Sequence, residues 1–320
     1  MPTSGAHAFR RPAFRGAAEP RSTGSVRTSP PKPIEMPAFE FVEPRSLEEA
    51  LERLDSDDPG IRPFGGGTAL MLMMKEQFFT PVRLVALRRI EGLRGVSVGA
   101  DRLRIGAMTT FSDLHASDAV FGAAPVLRRT MRTLANLRVR NVATVGGNLA
   151  HGDPHLDLPP VWSALGADAR ILGPSGERGI AVEHIAKGYG ETRIEAGEIL
   201  TRVDVPIVPD RRCVYVKVTT RAIHDWPALG LALACRTVDG VIVDPRFFLS
   251  AAVDRPFRLS AAEAEIAGRR PDSGSIRRAA EAAAESVDLE SDARGSGDYK
   301  THLLRVHLAR GLHELFGTSA

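Results

Sequence analysis

Cysteine is scarce in this chain of 320 residues, which has only Cys213 and Cys235. The two stand in strand-like apolar surroundings without a Cys-x-x-Cys spacing, so a disulfide framework is excluded. So is an iron–sulfur cluster held by this chain alone, which normally takes four cysteines. Two buried thiols fit a reduced, cytoplasmic protein. Long apolar runs are missing as well, and none approaches the roughly 18 residues of a membrane span. Charge of one sign is not concentrated anywhere: 42 basic and 39 acidic residues leave a net +3, and the arginines are scattered, which excludes a nucleic-acid stripe. Neither Gly-x-Gly-x-x-Gly nor a Walker Gly-Lys-Ser/Thr sequence occurs, so a Rossmann nicotinamide domain and a P-loop ATPase fall away. There is no internal repeat.

What is present begins after residue 35. Residues 1–35 carry Pro, Arg, Ser, Gly and Ala without hydrophobic periodicity, the composition of a segment unable to offset its ordering entropy, and disorder is expected there. Arg10-Arg11 is followed by no apolar stretch, so an export signal is not indicated. Met36-Pro37-Ala38-Phe39 reads as the start of the fold. Ser46-Leu47-Glu48-Glu49 has the pattern of a capping box ahead of a helix striped by Leu47, Ala50, Leu51 and Leu54. A short helix is expected over 69–75 and a buried strand over 84–87. From Val96 the period changes to two, with Leu103, Ile105 and Ala107 alternating with Arg102, Arg104 and Gly106. A helix between Pro125 and Leu137 should turn Leu127, Met131 and Leu134 inward and Arg128, Arg129 and Arg132 outward. Strands follow near 167–172 and 199–205, then a linker at 206–210. The last hundred residues read as strands at 214–218, 229–237 and 241–253 followed by helices, one opened by a capping box at Ser260-Ala261-Ala262-Glu263 and one lined by Ile276, Ala279, Ala280, Ala283, Ala284 and Val287. Strands first and helices after imply a small sheet with helices packed on it.

Two glycine clusters carry the chemistry. Arg140-Asn141-Val142-Ala143-Thr144-Val145-Gly146-Gly147-Asn148 places adjacent glycines after a β-branched pair, where the backbone can turn tightly enough for successive N–H groups to converge on an anion; Thr144 and Asn148 add side-chain hydrogen bonds. The earlier Phe64-Gly65-Gly66-Gly67-Thr68-Ala69-Leu70 offers a second such turn. A Gly-Gly pair by itself is more often an ordinary turn. Two of them on one domain suit the two halves of a pyrophosphate, hence a dinucleotide.

In this order, with Asp153-Pro154 and Asp157-Leu158-Pro159-Pro160 downstream, the clusters resemble the FAD-binding medium subunit of the molybdenum hydroxylases, of the xanthine dehydrogenase and carbon monoxide dehydrogenase type. The resemblance runs from about Met36 to about Leu315. It implies an α+β protein: a two-subdomain FAD-binding fold of the PCMH/vanillyl-alcohol-oxidase type, with subdomains at 36–95 and 96–209, then a C-terminal α/β domain at 210–320 built of a small antiparallel sheet with helices. It also implies that Gly65, Gly66, Gly67, Thr68, Ala69 and Leu70 hold one side of the FAD pyrophosphate and that Thr144, Val145, Gly146, Gly147 and Asn148 hold the other. Asp157 takes the place of an aspartate at the adenosine end, Leu200 that of an apolar contact, Lys217 that of a lysine beside the flavin, and Trp226 that of a residue over the flavin ring. Binding is expected to be noncovalent. Molybdopterin and iron–sulfur clusters are expected on a large and a small partner subunit, with electrons leaving through FAD to NAD, a quinone or another acceptor.

The bland readings stay beside these. Asp157 also fits a turn before Pro159, Lys217 a solvated strand lysine, Trp226 and Leu200 core residues. His151 and His155 invite a metal, but Gly152 and Pro154 between them oppose a shared helix face. The rivals to the subunit reading are a stand-alone FAD oxidoreductase of the same fold and a scaffold subunit that has lost its flavin.

Overall fold

The structure, a computed structural model, describes residues 38–54 and 58–318. Residues 36–320 form one compact unit. The disorder expected for residues 1–35 lies outside the described residues.

The chain opens with β1 (Glu40–Val42), α1 (Leu47–Arg53), β2 (Ile61–Phe64), α2 (Leu70–Lys75) and β3 (Arg83–Ala86). The three strands make a parallel sheet in the order β1-β3-β2. Parallel neighbours need crossover connections, which α1 and α2 supply. Ser46 caps α1 by accepting the Glu49 amide, yet the box is left half made, because the Glu49 carboxylate accepts from the Arg45 amide instead.

The next layer comprises β4 (Val96–Val98), β5 (Arg102–Gly106), α3 (Phe111–Ala116), α4 (Asp118–Ala123), α5 (Pro125–Met131), α6 (Leu137–Arg140), α7 (Val145–His151), α8 (Leu158–Leu165), β6 (Asp168–Gly173), β7 (Gly176–Ala181), the small ribbon β8 (Ala186–Gly188) and β9 (Glu191–Thr192), and β10 (Ile199–Pro206). Five of these strands form a sheet ordered β4-β5-β10-β6-β7. The period-two pattern holds, with Leu103 and Ile105 buried. The helix expected to reach Leu137 stops at Met131, and after Ala135 takes a left-handed φ of 49° a new helix starts from an Asn136 cap.

The last layer is β11 (Arg212–Val218), β12 (Leu229–Val238), β13 (Val241–Ser250), β14 (Phe257–Arg258), α9 (Ser260–Ile266), α10 (Ser273–Glu285) and α11 (Gly297–Phe316), with the strands antiparallel in sequence order. Leu229 to Cys235 are buried without a break, as a strand covered on both faces must be. Leu231, Leu233 and Leu249 pack toward the C-terminal helices. Ala232, Ala234 and Phe248 join a core that also holds Trp162, Leu103 and Ile105 from the preceding layer. Ser260 does not cap α9. The cap position is Leu259, and the Glu263 carboxylate turns inward to accept from the Phe247 amide and Arg258.

Between these layers lies α8, all eight residues of it buried, with Pro159 and Pro160 in its first turn where a missing N–H costs no helical bond. It carries Trp162 into the core and starts at Asp157, which thereby faces β11.

Candidate functional site

The two glycine clusters meet. An ideal Cβ on Gly66 would fall 1.8 Å from the Val142 carbonyl oxygen, and one on Gly65 would fall 2.9 Å from the Thr144 hydroxyl. Backbone therefore packs on backbone between the turns, which only glycine permits. Gly67 has a φ of 72° and accepts the Met71 amide just ahead of α2, whose cap position is Ala69.

The two turns differ in what they have left to give. Among the described residues, the backbone amides from Gly65 to Ala69 donate to no protein acceptor. A row of amides free in a half-buried turn is an anion-binding nest. The second cluster does not offer the row of converging amides expected from the sequence. Its amides are already used: Val145 donates to Thr109 O, Gly146 to Ala107 O, Gly147 to the Thr144 hydroxyl oxygen and Asn148 to Thr144 O. Thr144 is the N-cap of α7, so the Gly-Gly pair is the first turn of a helix. Gly146 is needed because its Cβ would meet the Ala107 side chain at 2.6 Å. Gly147 is exposed, and a Cβ there would meet only its own cap, at 2.9 Å. What the second turn presents is the Thr144 hydroxyl, Gly147 and Asn148, whose side-chain carbonyl oxygen is buried without a partner. A buried acceptor left unpaired costs free energy unless a ligand donor meets it.

Asp157 and Lys217 lie together. The Lys217 ammonium is 3.0 Å from one Asp157 oxygen and 3.1 Å from the Thr133 carbonyl, while the Tyr215 hydroxyl donates to the other Asp157 oxygen at 2.7 Å. Both side chains of the ion pair are under 10% exposed. Burial pushes the Asp157 carboxyl upward against the Lys217 charge and the Tyr215 hydrogen bond, and burial next to that carboxylate pushes the Tyr215 phenol well up. The solvated-lysine and turn-aspartate readings are thereby set aside: the pair ties the start of α8 to β11. Sequence reasoning missed Tyr215. The signal was available, because Tyr215 and Lys217 are two apart on one strand and so share a face.

Leu200 is buried in β10 and belongs to the central core. Val145, the first residue of α7, is buried. Trp226 is 46% exposed at the tip of the β11–β12 connection, which sets aside its reading as a core tryptophan; that is Trp162. Its ring stacks on His155 at 5.4 Å between centroids. The two histidines weighed as metal ligands part company: His151 ends α7, and the His155 ring turns to Asp153, 3.0 Å from its Nδ1. Burial works against the charge of Asp153, but hydrogen bonds from the His155 ring and amide hold its carboxyl below the ordinary range.

Touching glycine turns, one with a row of free amides and the other with an unpartnered amide oxygen, can accommodate an anion with a hydrogen-bond donor beside it. Residues 37–208 match the family described as FAD binding domain in molybdopterin dehydrogenase, and residues 214–315 match the CO dehydrogenase flavoprotein C-terminal domain. The chain is 30% identical to the glyceraldehyde dehydrogenase medium chain of Sulfolobus acidocaldarius over 87% of its own length and 99% of that relative. It is 31% identical to the carbon monoxide dehydrogenase medium chain of Afipia carboxidovorans, over 86% and 96% respectively. A solved carbon monoxide dehydrogenase from Hydrogenophaga pseudoflava superposes with a TM-score of 0.85 at 31% identity, covering 90% of this chain and 100% of that one. The chain belongs to the FAD-binding family of the molybdopterin dehydrogenases: it is the FAD-binding medium subunit type of oxidoreductase, and FAD is its cofactor. No helix among the described residues is long and apolar enough to cross a membrane.

Proposed function

We propose that this chain is the noncovalent FAD carrier of a heteromeric molybdenum hydroxylase in the cytoplasm, standing between an iron–sulfur small subunit and a terminal acceptor such as NAD or a quinone, with substrate oxidised on a molybdopterin-binding large subunit. The observation that carries it is the row of unpaired amides from Gly65 to Ala69 pressed against the second glycine turn. When bound, FAD supplies the two-electron store that links single-electron donors to a two-electron acceptor. The protein binds and orients. Gly65 to Leu70 cradle the pyrophosphate from one side; on the other the Thr144 hydroxyl and the Asn148 side-chain N–H groups donate to it, the Asn148 carbonyl oxygen takes a donor elsewhere on the cofactor such as a hydroxyl, and Val145, Gly146 and Gly147 fix that helix end and leave room for close approach. Lys217 supplies positive charge near the flavin; Asp157, expected at the adenosine end, has both oxygens taken by Tyr215 and Lys217 and instead holds Lys217 in place. Leu200 lines the floor and Trp226 covers the ring. The division at 95, at 209 and before 210 is proposed to follow the three sheets.

The partners follow from a shortage within the chain. Its two cysteines are too few for a cluster, and burial pushes Cys213 up to about 12 and Cys235 up to about 11, so neither is a thiolate at neutral pH. With no cluster of its own, the chain is best supplied with electrons by another subunit, in keeping with the medium-chain names of the relatives.

The isolated chain is expected to be yellow, with one FAD, and inert toward aldehydes, purines and carbon monoxide. Turnover and a stable complex should appear on co-expression with an iron–sulfur and a molybdopterin subunit encoded nearby, recovered by a tagged pull-down at mild salt. A monomer that oxidises one of these substrates unaided would replace this reading with a stand-alone flavoenzyme. Trp226→Ala should weaken FAD binding by about 1–3 kcal/mol, the scale of a lost aromatic stack with its buried area. Equilibrium titration checks it, and an unchanged Kd would remove Trp226 from the site.

A further inference from the structure

The connection between β11 and β12 has little to hold it. Residues Thr220 to Trp226 are exposed, and the hydrogen bonds recorded among them stay inside the loop, between Ala222 and Asp225. Trp226 is the anchor. Its indole lies on the His155 imidazole with 20° between the planes, and the Arg294 guanidinium stands 5.7 Å from the indole centroid.

His155 is fixed far more firmly than a packing residue needs to be. Its amide and its Nδ1 both donate to one oxygen of Asp153, at 2.8 and 3.0 Å. On its other side, Nε2 stands 3.4 Å from Arg294 Nη1 and 3.5 Å from an Asp292 oxygen. Asp292 is in turn anchored by the buried Lys300 ammonium at 2.9 Å. The Tyr189 ring meets the imidazole edge-on at 6.2 Å. A ring held at both nitrogens cannot rotate, so it offers one flat face at one angle, and Trp226 occupies that face.

The geometry points to His155 as the positioning residue for Trp226: together with Arg294 it holds the indole by one face, so that the other face is set in advance for the flavin ring. This rests on the reading that Trp226 covers the flavin. Rigid placement matters because an aromatic shield on a free loop would spend most of its time elsewhere, and fixing it beforehand removes that ordering cost from cofactor binding. His155 itself need not touch the cofactor.

The test uses the full chain, free and FAD-loaded, with His155→Ala, His155→Phe and Arg294→Gln. Trp226 emission is isolated by subtracting the spectrum of Trp226→Phe, since Trp162 is the only other tryptophan. In the free chain, His155→Ala should raise and red-shift Trp226 emission as the stacked imidazole is lost. In the loaded chain the flavin emission should rise, and FAD affinity should fall by about three- to tenfold, the effect of one aromatic contact. His155→Phe keeps a flat ring but loses both nitrogen tethers, so it should restore flavin quenching only in part; full rescue would show that fixing the ring through its nitrogens does no positioning and would overturn that part of the proposal. Arg294→Gln should loosen the stack in the same direction and carries the test where His155→Ala does not fold. Unchanged Trp226 emission in a folded His155→Ala or Arg294→Gln free chain overturns the clamp. If Trp226→Ala leaves flavin emission and affinity untouched, the reading of Trp226 over the flavin fails, and the inferred presetting fails with it; the free-chain emission still judges the stack separately.

Discussion

Gly66→Val will cost the protein both its flavin and much of its stability, whereas Gly147→Ala will cost it flavin alone. As a sequence, both glycines read as room for a phosphate oxygen. The structure separates them. The Cβ of any residue at Gly66 would overlap the Val142 carbonyl oxygen, backbone that cannot swing aside, so the two turns must part. Forced overpacking of that kind costs about 1–3 kcal/mol and occasionally more, and here it also breaks the nest. Gly147 sits in the first turn of α7 with an ordinary helical backbone, and an alanine there meets only the Thr144 hydroxyl. The gain from replacing a helical glycine, roughly 0.5–1 kcal/mol, should about offset that contact. Thermal unfolding of the flavin-free proteins gives the first quantity, and FAD titration of folded Gly147→Ala the second. A Gly66→Val protein with wild-type stability would refute the contact between the turns. Undiminished FAD affinity in Gly147→Ala would move the cofactor away from α7.

Breaking the Asp157–Lys217 pair from either side should destabilise the chain by about 3–5 kcal/mol, because each single variant strands a charge in a dry interior. Lys217→Met leaves Asp157 with the Tyr215 hydroxyl alone; Asp157→Leu leaves the ammonium with only the Thr133 carbonyl and frees the Tyr215 phenol. The double variant should recover most of the loss, since removing both partners removes both desolvation penalties. The pH dependence has a definite sign. Burial raises the folded-state pKa of Asp157 above its unfolded value of about 3.9, so the folded state holds that proton longer. A raised carboxyl stabilises the protonated fold at low pH and withdraws that stability as pH climbs toward the folded pKa. Without Lys217 the rise is larger, so the deficit of Lys217→Met should be greater at neutral pH and shrink as the solution is acidified toward pH 4. Urea unfolding at several pH values measures this; a deficit that grows on acidification would mean that Asp157 is held as a carboxylate without its lysine.

Much of the frame was legible because it depends on local patterns. The alternation at Leu103 and Ile105, the Ser46 cap, the unbroken apolar run from Leu229 and the alanine face of α10 each announce their element within a few residues. Failures came where a local signal had a competing use. Ser260-x-x-Glu263 has the letters of a capping box, but the Glu263 carboxylate was worth more to the Phe247 amide across the sheet. Gly146-Gly147 has the letters of a loop and is a helix start, because Thr144 supplies the cap and Ala107 demands a neighbour without a Cβ. The helix α8 stayed hidden behind Pro159-Pro160, which bar a helix interior but suit a first turn.

The sequence by itself carried the resemblance to the FAD subunits of the molybdenum hydroxylases, because the order of the two glycine clusters, Asp157 and Lys217 is a linear pattern; composition and missing motifs removed the membrane-span, nucleic-acid, Rossmann and P-loop readings but not the stand-alone flavoenzyme or the flavin-free scaffold. Only the tertiary structure decided which glycine amides are already bonded within the chain and which are not, that Asp157 answers to Tyr215 and Lys217, and that the Trp226 ring lies on that of a histidine 71 positions earlier. The reason is physical. Residue type sets what a group can do, but whether an amide, a carboxylate or a ring is free to act on a ligand depends on which partners the rest of the chain has already brought to it.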